Sequence, residues 1–316
     1  GASEMVMDGF MHLRRAGILK RQAFDDLSLE HALADGAITS LLGDDALDQL
    51  LARGAWPMRL DADALRRLQY FGLLPGEARL AGEHLLLDGD RSLSTDMRDE
   101  QTRAALAAMV SGRRLVGGHY LRGAFFLGSK DLYAWLRDLD GEDWSGLDMT
   151  RVSEVNQLYG GREELDRVQR RNARFFNICM MATLLGDVVS DALADGRVVS
   201  GVGGQYNFVA MAHELAGGRS VLMLRSTRCA HGRVQSNVRW NYGHTTIPRH
   251  LRDIVVTEYG IADLRGCSDE DCIKAMLAIT DARFIDELAN TARKAGKLAD
   301  DFRIPDLWRR NTPGRL

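Results

Sequence analysis

Ser200-Gly201-Val202-Gly203-Gly204-Gln205-Tyr206-Asn207-Phe208 places three glycines in four positions between an apolar pair, Val198-Val199, and a helical pattern over 207–215. Glycine accepts positive φ and lets the backbone approach a ligand closely. A glycine loop that opens a helix presents backbone N–H groups and the positive end of the helix dipole, a setting for an anion or a developing oxyanion. The expected local structure is therefore strand, loop, helix, with residues 200–205 at the carboxyl end of the strand.

Working outward, apolar runs at 115–116, 124–127, 198–199, 220–224 and 253–256 alternate with helix patterns at 130–139, 163–171, 207–215 and 269–279. Strands that alternate with helices predict an α/β fold with an open, mostly parallel sheet covered on both faces. Residues 174–190 carry two apolar runs about Gly186-Asp187 and read as a hairpin. Towards the amino terminus the texture changes. Residues 3–35 read as helical, with apolar positions at Met5, Phe10, Leu13 and Ile18 and a turn near Gly17. Residues 36–110 read as a small inserted module of short helices and a β-hairpin over 78–87, turning at Gly82-Glu83. Three parts follow: 1–35, 36–110, and an α/β domain over 111–316 whose last piece, 301–316, is a turn-rich tail.

Composition narrows the function. The 316 residues are 45% hydrophobic and 27% charged, with a net charge of −3. That is an ordinary enzyme-like balance and gives no electrostatic footprint for nucleic acid or an anionic membrane surface. No apolar run reaches the roughly 20 residues of a membrane span. The four cysteines, Cys179, Cys229, Cys267 and Cys272, lack metal-ligand spacing and read as reduced thiols of a cytoplasmic protein. The run Tyr242-Gly243-His244-Thr245-Thr246-Ile247-Pro248-Arg249-His250 offers two histidines but no third ligand, so no metal is assigned. No Gly-x-Ser-x-Gly elbow is present. The glycine loop also lacks the third glycine of a dinucleotide fingerprint.

Two further residues stand out. Glu258 follows the apolar run at 253–256, and ligands of open α/β sheets lie beyond the carboxyl ends of strands; a capping or ion-paired glutamate is the plainer reading. Asn177 interrupts Phe175-Phe176-Asn177-Ile178-Cys179, where an amide needs partners from a cleft or from the fold itself.

Taken together, Ser200-Gly201-Val202-Gly203-Gly204-Gln205-x-x-Phe208, Ile247-Pro248-Arg249-His250 and Val256-Thr257-Glu258-Tyr259-Gly260-Ile261-Ala262-Asp263-Leu264-Arg265-Gly266 resemble the carboxy-terminal half of the acetyl-CoA hydrolase/transferase family, the family I CoA-transferases. Ala124-Phe125-Phe126-Leu127-Gly128-Ser129-Lys130 and Ser3-Glu4-Met5 with Asp8-Gly9 extend the match. The resemblance implies a CoA-transferase (NagB/RpiA-like) sheet. It also implies acyl-CoA hydrolysis or CoA transfer through a glutamyl-CoA thioester on Glu4, with Glu258 and Asn177 assisting and Gly201, Gly203, Gly204 and Gln205 binding the acyl-CoA. Coenzyme A enters as substrate rather than as a tightly held cofactor. The implied partners are a carboxylate or water, the amino-terminal CoA-transferase domain of the same protein, and further copies of the chain. Glu4 and the glycine loop are expected on one face, with the site formed between the two halves. The alternative is a non-catalytic CoA-binding or regulatory module of the same fold.

Overall fold

The computed structural model describes residues 1–87, 91–230 and 232–313, and the chain divides into two compact units, Gly1–Gln169 and Arg170–Leu316. The last three residues of the expected tail lie outside the described residues.

The first unit opens on strand β1 (Ala2–Val6) and helix α1 (Asp8–Arg15). Helices α2 (Leu27–Ala34), α3 (Ala46–Ala52) and α4 (Ala62–Tyr70) follow, then strands β2 (Arg79–Ala81), β3 (His84–Leu86) and β4 (Ser92–Ser94), and helix α5 (Glu100–Val110). Strand β5 (Leu121–Phe126), helices α6 (Lys130–Arg137) and α7 (Gly141–Ser145), strand β6 (Leu147–Met149), and helices α8 (Val152–Asn156) and α9 (Glu163–Gln169) complete it.

Strands β1, β5 and β6 form a parallel sheet with β5 in the centre; Ser3 pairs with Gly123 and Met5 with Phe125. The expectation of helix from residue 3 therefore fails for its first turn. Five residues at an edge are held by a partner 120 positions away, and that pairing overrides local propensity. It also explains why the division at 35 and 110 differs from the observed units: the strand at the start of the chain and those near 121–149 share one sheet. Gly123 makes the pairing close, since a Cβ there would lie 2.4 Å from Val6 Cγ2.

A separate hydrophobic core runs from Phe24 to Leu115 through Leu29, Leu50, Trp56, Leu68 and Leu106. Most of the 36–110 segment thus packs around its own apolar centre, with residues 24–32 and 115 drawn into it. The hairpin falls at β2–β3, with Gly82 at φ +61°, and β4 adds a third antiparallel strand.

In the second unit, strands β7 (Arg174–Ile178), β8 (Met181–Thr183) and β9 (Val188–Val189) precede helix α10 (Gln205–Glu214). Strands β10 (Arg219–Met223), β11 (Thr227–Ala230), β12 (Arg233–Ser236), β13 (Val238–Arg239), β14 (Ile254–Thr257) and β15 (Gly260–Asp263) come next, followed by helices α11 (Asp269–Ala278) and α12 (Ala282–Lys294). The main sheet has the order β15-β14-β10-β7, with β7, β10 and β14 parallel and β15 antiparallel at the edge. The α/β class with parallel sheets is therefore observed. The run at 174–178 joins this sheet, while β8 and β9 form the hairpin about Gly186. Helix α10 packs on β7, where Phe208 stacks on Phe175 at 5.9 Å between ring centres. The core of this unit gathers Leu222, Val255, Ile273, Met276, Ile285 and Ala289. Among the described residues no helix is long and apolar enough to cross a membrane.

Candidate active site

In the first unit, β1 carries Glu4 half-buried. Helix α8 lies against β1, and Asn156 at its end donates from Nδ2 to Glu4 Oε1 at 2.5 Å. The amide oxygen of Asn156 is buried without a hydrogen-bond partner among the described residues. One glutamate oxygen is thereby fixed in direction. Sequence reasoning missed Asn156: it is 152 positions from Glu4 and sits in no quoted motif.

Asp8 and Ser129, both within the motifs that resemble the family, meet in this unit. The Asp8 carboxylate accepts the Ser129 amide at 3.1 Å and the Ser129 hydroxyl, and these bonds hold it below the usual carboxylate range. Ser129 also caps α6 through the amides of Asp131 and Leu132. Gly128 is required where it stands, because a Cβ would lie 2.6 Å from the Asp8 carboxylate. These motif residues join the start of α1 to the start of α6, and the loop after β1 is set by that link.

In the second unit, the loop 200–204 and the residues expected to work with it gather at the carboxyl end of the parallel strands. Gly203 has φ +58°, a conformation that side chains resist, and Gly201 to Gly203 are exposed. Gln205, 6% exposed, donates from Nε2 to the carbonyl of Ile178 at the end of β7 (2.9 Å), which ties the start of α10 to the sheet. Asn177 is its neighbour on β7 and pairs in register with Leu222 of β10. Two amide atoms here, Asn177 Nδ2 and Gln205 Oε1, are buried with no hydrogen-bond partner in the protein. Buried polar atoms are nearly always paired, so this unused donor and unused acceptor beside the glycine loop stand out.

Glu258 occupies the two-residue turn, Glu258-Tyr259, between β14 and β15. Its carboxylate accepts the Ser226 amide at 2.8 Å, so it neither caps a helix nor lies idle on the surface. The turn is braced on all sides. Thr257 donates its hydroxyl to the Ile279 carbonyl, Tyr259 donates its own to Asp281, and the Asp281 amide donates to the Ser226 hydroxyl. Burial and the bond to Asp281 push the Tyr259 hydroxyl up to about 12, so it remains a donor at every ordinary pH.

The strand expected at 198–199 is not formed. Val198 makes one isolated bridge to Ala192, and the two valines are 70% and 48% exposed. A tight turn about Gly196 leaves room for a single bridge, so β-propensity finds no sheet to join. The glycine loop is instead anchored by Asp191, a residue that no local pattern singles out. Its carbonyl accepts the amides of Val199 (2.8 Å) and Ser200 (3.1 Å), while its carboxylate bonds His244 at 3.0 Å and the Thr246 hydroxyl. His244 is thus occupied in holding the loop. Among the described residues no three His, Cys, Asp or Glu side chains are grouped to hold a metal.

The family model for the acetyl-CoA hydrolase/transferase C-terminal domain matches residues 128–292, just over half of the sequence. The chain belongs to that family. It is 30% identical over 210 residues to a probable butyrate:acetyl-CoA coenzyme A-transferase of Syntrophomonas wolfei, covering 65% of this chain and 44% of the relative. It is 32% identical over 120 residues to the 4-hydroxybutyrate coenzyme A transferase of Clostridium kluyveri, covering 37% of this chain and 28% of the relative. A butyryl-CoA:acetate CoA-transferase of Anaerostipes caccae is 27% identical over 234 residues, covering 70% and 46%. The chain spans less than half the length of each of these curated relatives.

The Glu4–Asn156 bond carries a prediction. If Asn156 orients the attacking oxygen, Asn156→Ala lowers kcat roughly tenfold, the loss of about one well-placed hydrogen bond, and leaves KM for acyl-CoA within twofold. A fall in thermal stability with unchanged kcat would assign Asn156 to the fold alone.

Proposed function

We propose that this chain is the carboxy-terminal portion of an enzyme that moves coenzyme A between carboxylates, with hydrolysis of acyl-CoA as its side reaction. The observation that supports this reading is that the glycine loop, Asn177, Gln205 and Glu258 all lie at the carboxyl end of the parallel strands, where two buried side-chain amide atoms lack a hydrogen-bond partner among the described residues.

The chemistry follows from the residues. A carboxylate is a weak nucleophile in water and becomes effective when a bound substrate excludes solvent. In this reading a Glu4 oxygen attacks the acyl-CoA carbonyl, the C–S bond breaks, and an acyl-glutamyl anhydride and CoA thiolate result. The thiolate then attacks the glutamyl carbonyl and releases the free carboxylate, leaving a glutamyl-CoA thioester. An incoming carboxylate attacks that thioester and the two steps run in reverse, giving the new acyl-CoA and free Glu4. Water attacking the thioester instead yields CoA and Glu4, which is hydrolysis. Each addition builds negative charge on a carbonyl oxygen. The Gly203 and Gly204 amides are the proposed donors to it, and one such donor is worth about 10²–10³ in rate. Asn177 and Gln205 are the proposed holders of the substrate's polar groups, and Glu258, fixed by Ser226, the positioning carboxylate. The reading requires the amino-terminal CoA-transferase domain to complete the site.

The test uses the whole protein with acetyl-CoA and butyrate, followed by chromatography of the CoA species. Butyryl-CoA is expected to form as acetyl-CoA disappears, with free CoA accumulating much more slowly. Acetyl-CoA that persists unchanged, although it binds, would leave a CoA-binding module without turnover. Free CoA as the sole product would make the protein a hydrolase.

A further inference from the structure

At the edge of the second unit's sheet opposite the glycine loop, where β14 begins and β15 ends, lies an open cavity of about 470 Å³. It is lined by His213 near the end of α10, Arg249 and His250 of the short 3-10 turn before β14, Arg252 just after that turn, Arg265 after β15, and Asp269 at the start of α11. Nothing in the proposed acyl chemistry uses these groups.

Charge in this cavity is unbalanced. Asp269 is held by Lys297 at 2.9 Å, and Arg249 and Arg252 approach the same carboxylate only to 3.8 Å. Asp253 is shared by Arg219 (2.9 Å) and Arg265 (3.1 Å), and Asp263 pairs with Arg219 (3.0 Å). Of the charged side chains that line the cavity, three arginines meet one carboxylate, Asp269, before either histidine is counted. Arg252 is fixed in place by the carbonyls of Leu185 and Cys267, and His213 donates to the Leu251 carbonyl. Arg249, half-exposed, approaches the Asp269 carboxylate at 3.8 Å, with no closer ion-pair partner among the described residues. Planar guanidinium groups that converge with spare donors match the oxygens of a phosphate group better than any neutral ligand.

We propose that this cavity is a second anion site, binding a phosphate-class dianion at the edge of the sheet remote from the acyl site. Free phosphate or pyrophosphate and the phosphates of coenzyme A share this chemistry, and the experiment separates them.

Pyrophosphate is titrated into the chain by calorimetry at constant ionic strength, with chloride as the reference anion, in the presence and absence of saturating CoA. Saturable binding above the chloride reference is expected. Arg249→Gln should weaken it about tenfold, the worth of one charge-assisted contact, and Arg249→Gln with Arg265→Gln about a hundredfold. Displacement by CoA identifies the site as one for the phosphates of CoA; binding that CoA leaves untouched identifies a free anion. Both results support the site. Binding no stronger than chloride, or variants within twofold of the parent, overturns it. Arg249 makes no close contact, so an unchanged melting temperature of Arg249→Gln without ligand confirms that a weakened affinity is not unfolding.

Discussion

Glu4→Gln in the whole protein is expected to lower both CoA transfer and acyl-CoA hydrolysis by at least about a thousandfold, while CoA affinity stays within twofold of the parent. The amide has the shape of the carboxylate and keeps an oxygen for the Asn156 donor. What it loses is the anionic nucleophile. Neither an anhydride nor a thioester forms on a glutamine amide, and a residue through which every step passes costs nearly the whole rate enhancement when removed. Steady-state rates with acetyl-CoA, with and without an acceptor carboxylate, measure both activities. Near-normal hydrolysis in this variant would move the chemistry to Glu258 as a general base acting on water.

Arg122→Met is expected to cost the first unit about 2–3 kcal/mol, at or just under the lower limit of the range of about 3–5 kcal/mol for breaking a buried ion pair, because its partners are partly solvated. Arg122 lies on the central strand β5, is 6% exposed, and bonds Asp148 at 2.5 Å and Asp25 at 2.6 Å. Asp25 also takes Arg162 at 2.6 Å, so one residue ties β5 to β6 and to the segment before α2. Methionine fills the space but leaves the two carboxylates short of a cation. Burial works to raise the Asp25 carboxyl, yet Arg122 and Arg162 hold it below the usual carboxylate range. Its contribution is therefore complete above the unfolded value near 3.9 and fades as pH falls through the folded one. Denaturant unfolding at pH 7 should show the full loss, and the difference from the parent should shrink below about pH 4. A loss under about 0.5 kcal/mol at pH 7 would mean that β5 does not depend on this network.

Much of the second unit was legible in the sequence because its signals are local. The runs at 220–224 and 253–256 became β10 and β14 within a residue or two, and Glu258 falls at the carboxyl end of β14 as its position implied. The glycine loop, Asn177 and Gln205 were also visible, since each interrupts a regular pattern. What escaped was everything fixed by distant partners. Residues 2–6 form a strand through β5, far along the chain, and Asn156 reaches Glu4 by the same route. Asp191 bonds residues 244 and 246, and only that contact shows its work on the glycine loop. Val198-Val199 erred in the other direction: a strong local preference for extended structure found no neighbouring strand. Local composition reports propensity, and only the assembled chain decides which propensities are satisfied.

The central claim is that Glu4 carries coenzyme A covalently. Incubating the whole protein with acetyl-CoA, reducing with borohydride, and analysing the peptide that contains residues 1–14 by mass spectrometry tests it directly. Borohydride converts a glutamyl thioester to the alcohol and leaves a free carboxylate untouched. The account predicts the alcohol at Glu4, dependent on acetyl-CoA and absent from Glu4→Gln. Turnover that proceeds while the Glu4 peptide remains unmodified, under conditions where the reduced form would be stable, contradicts it.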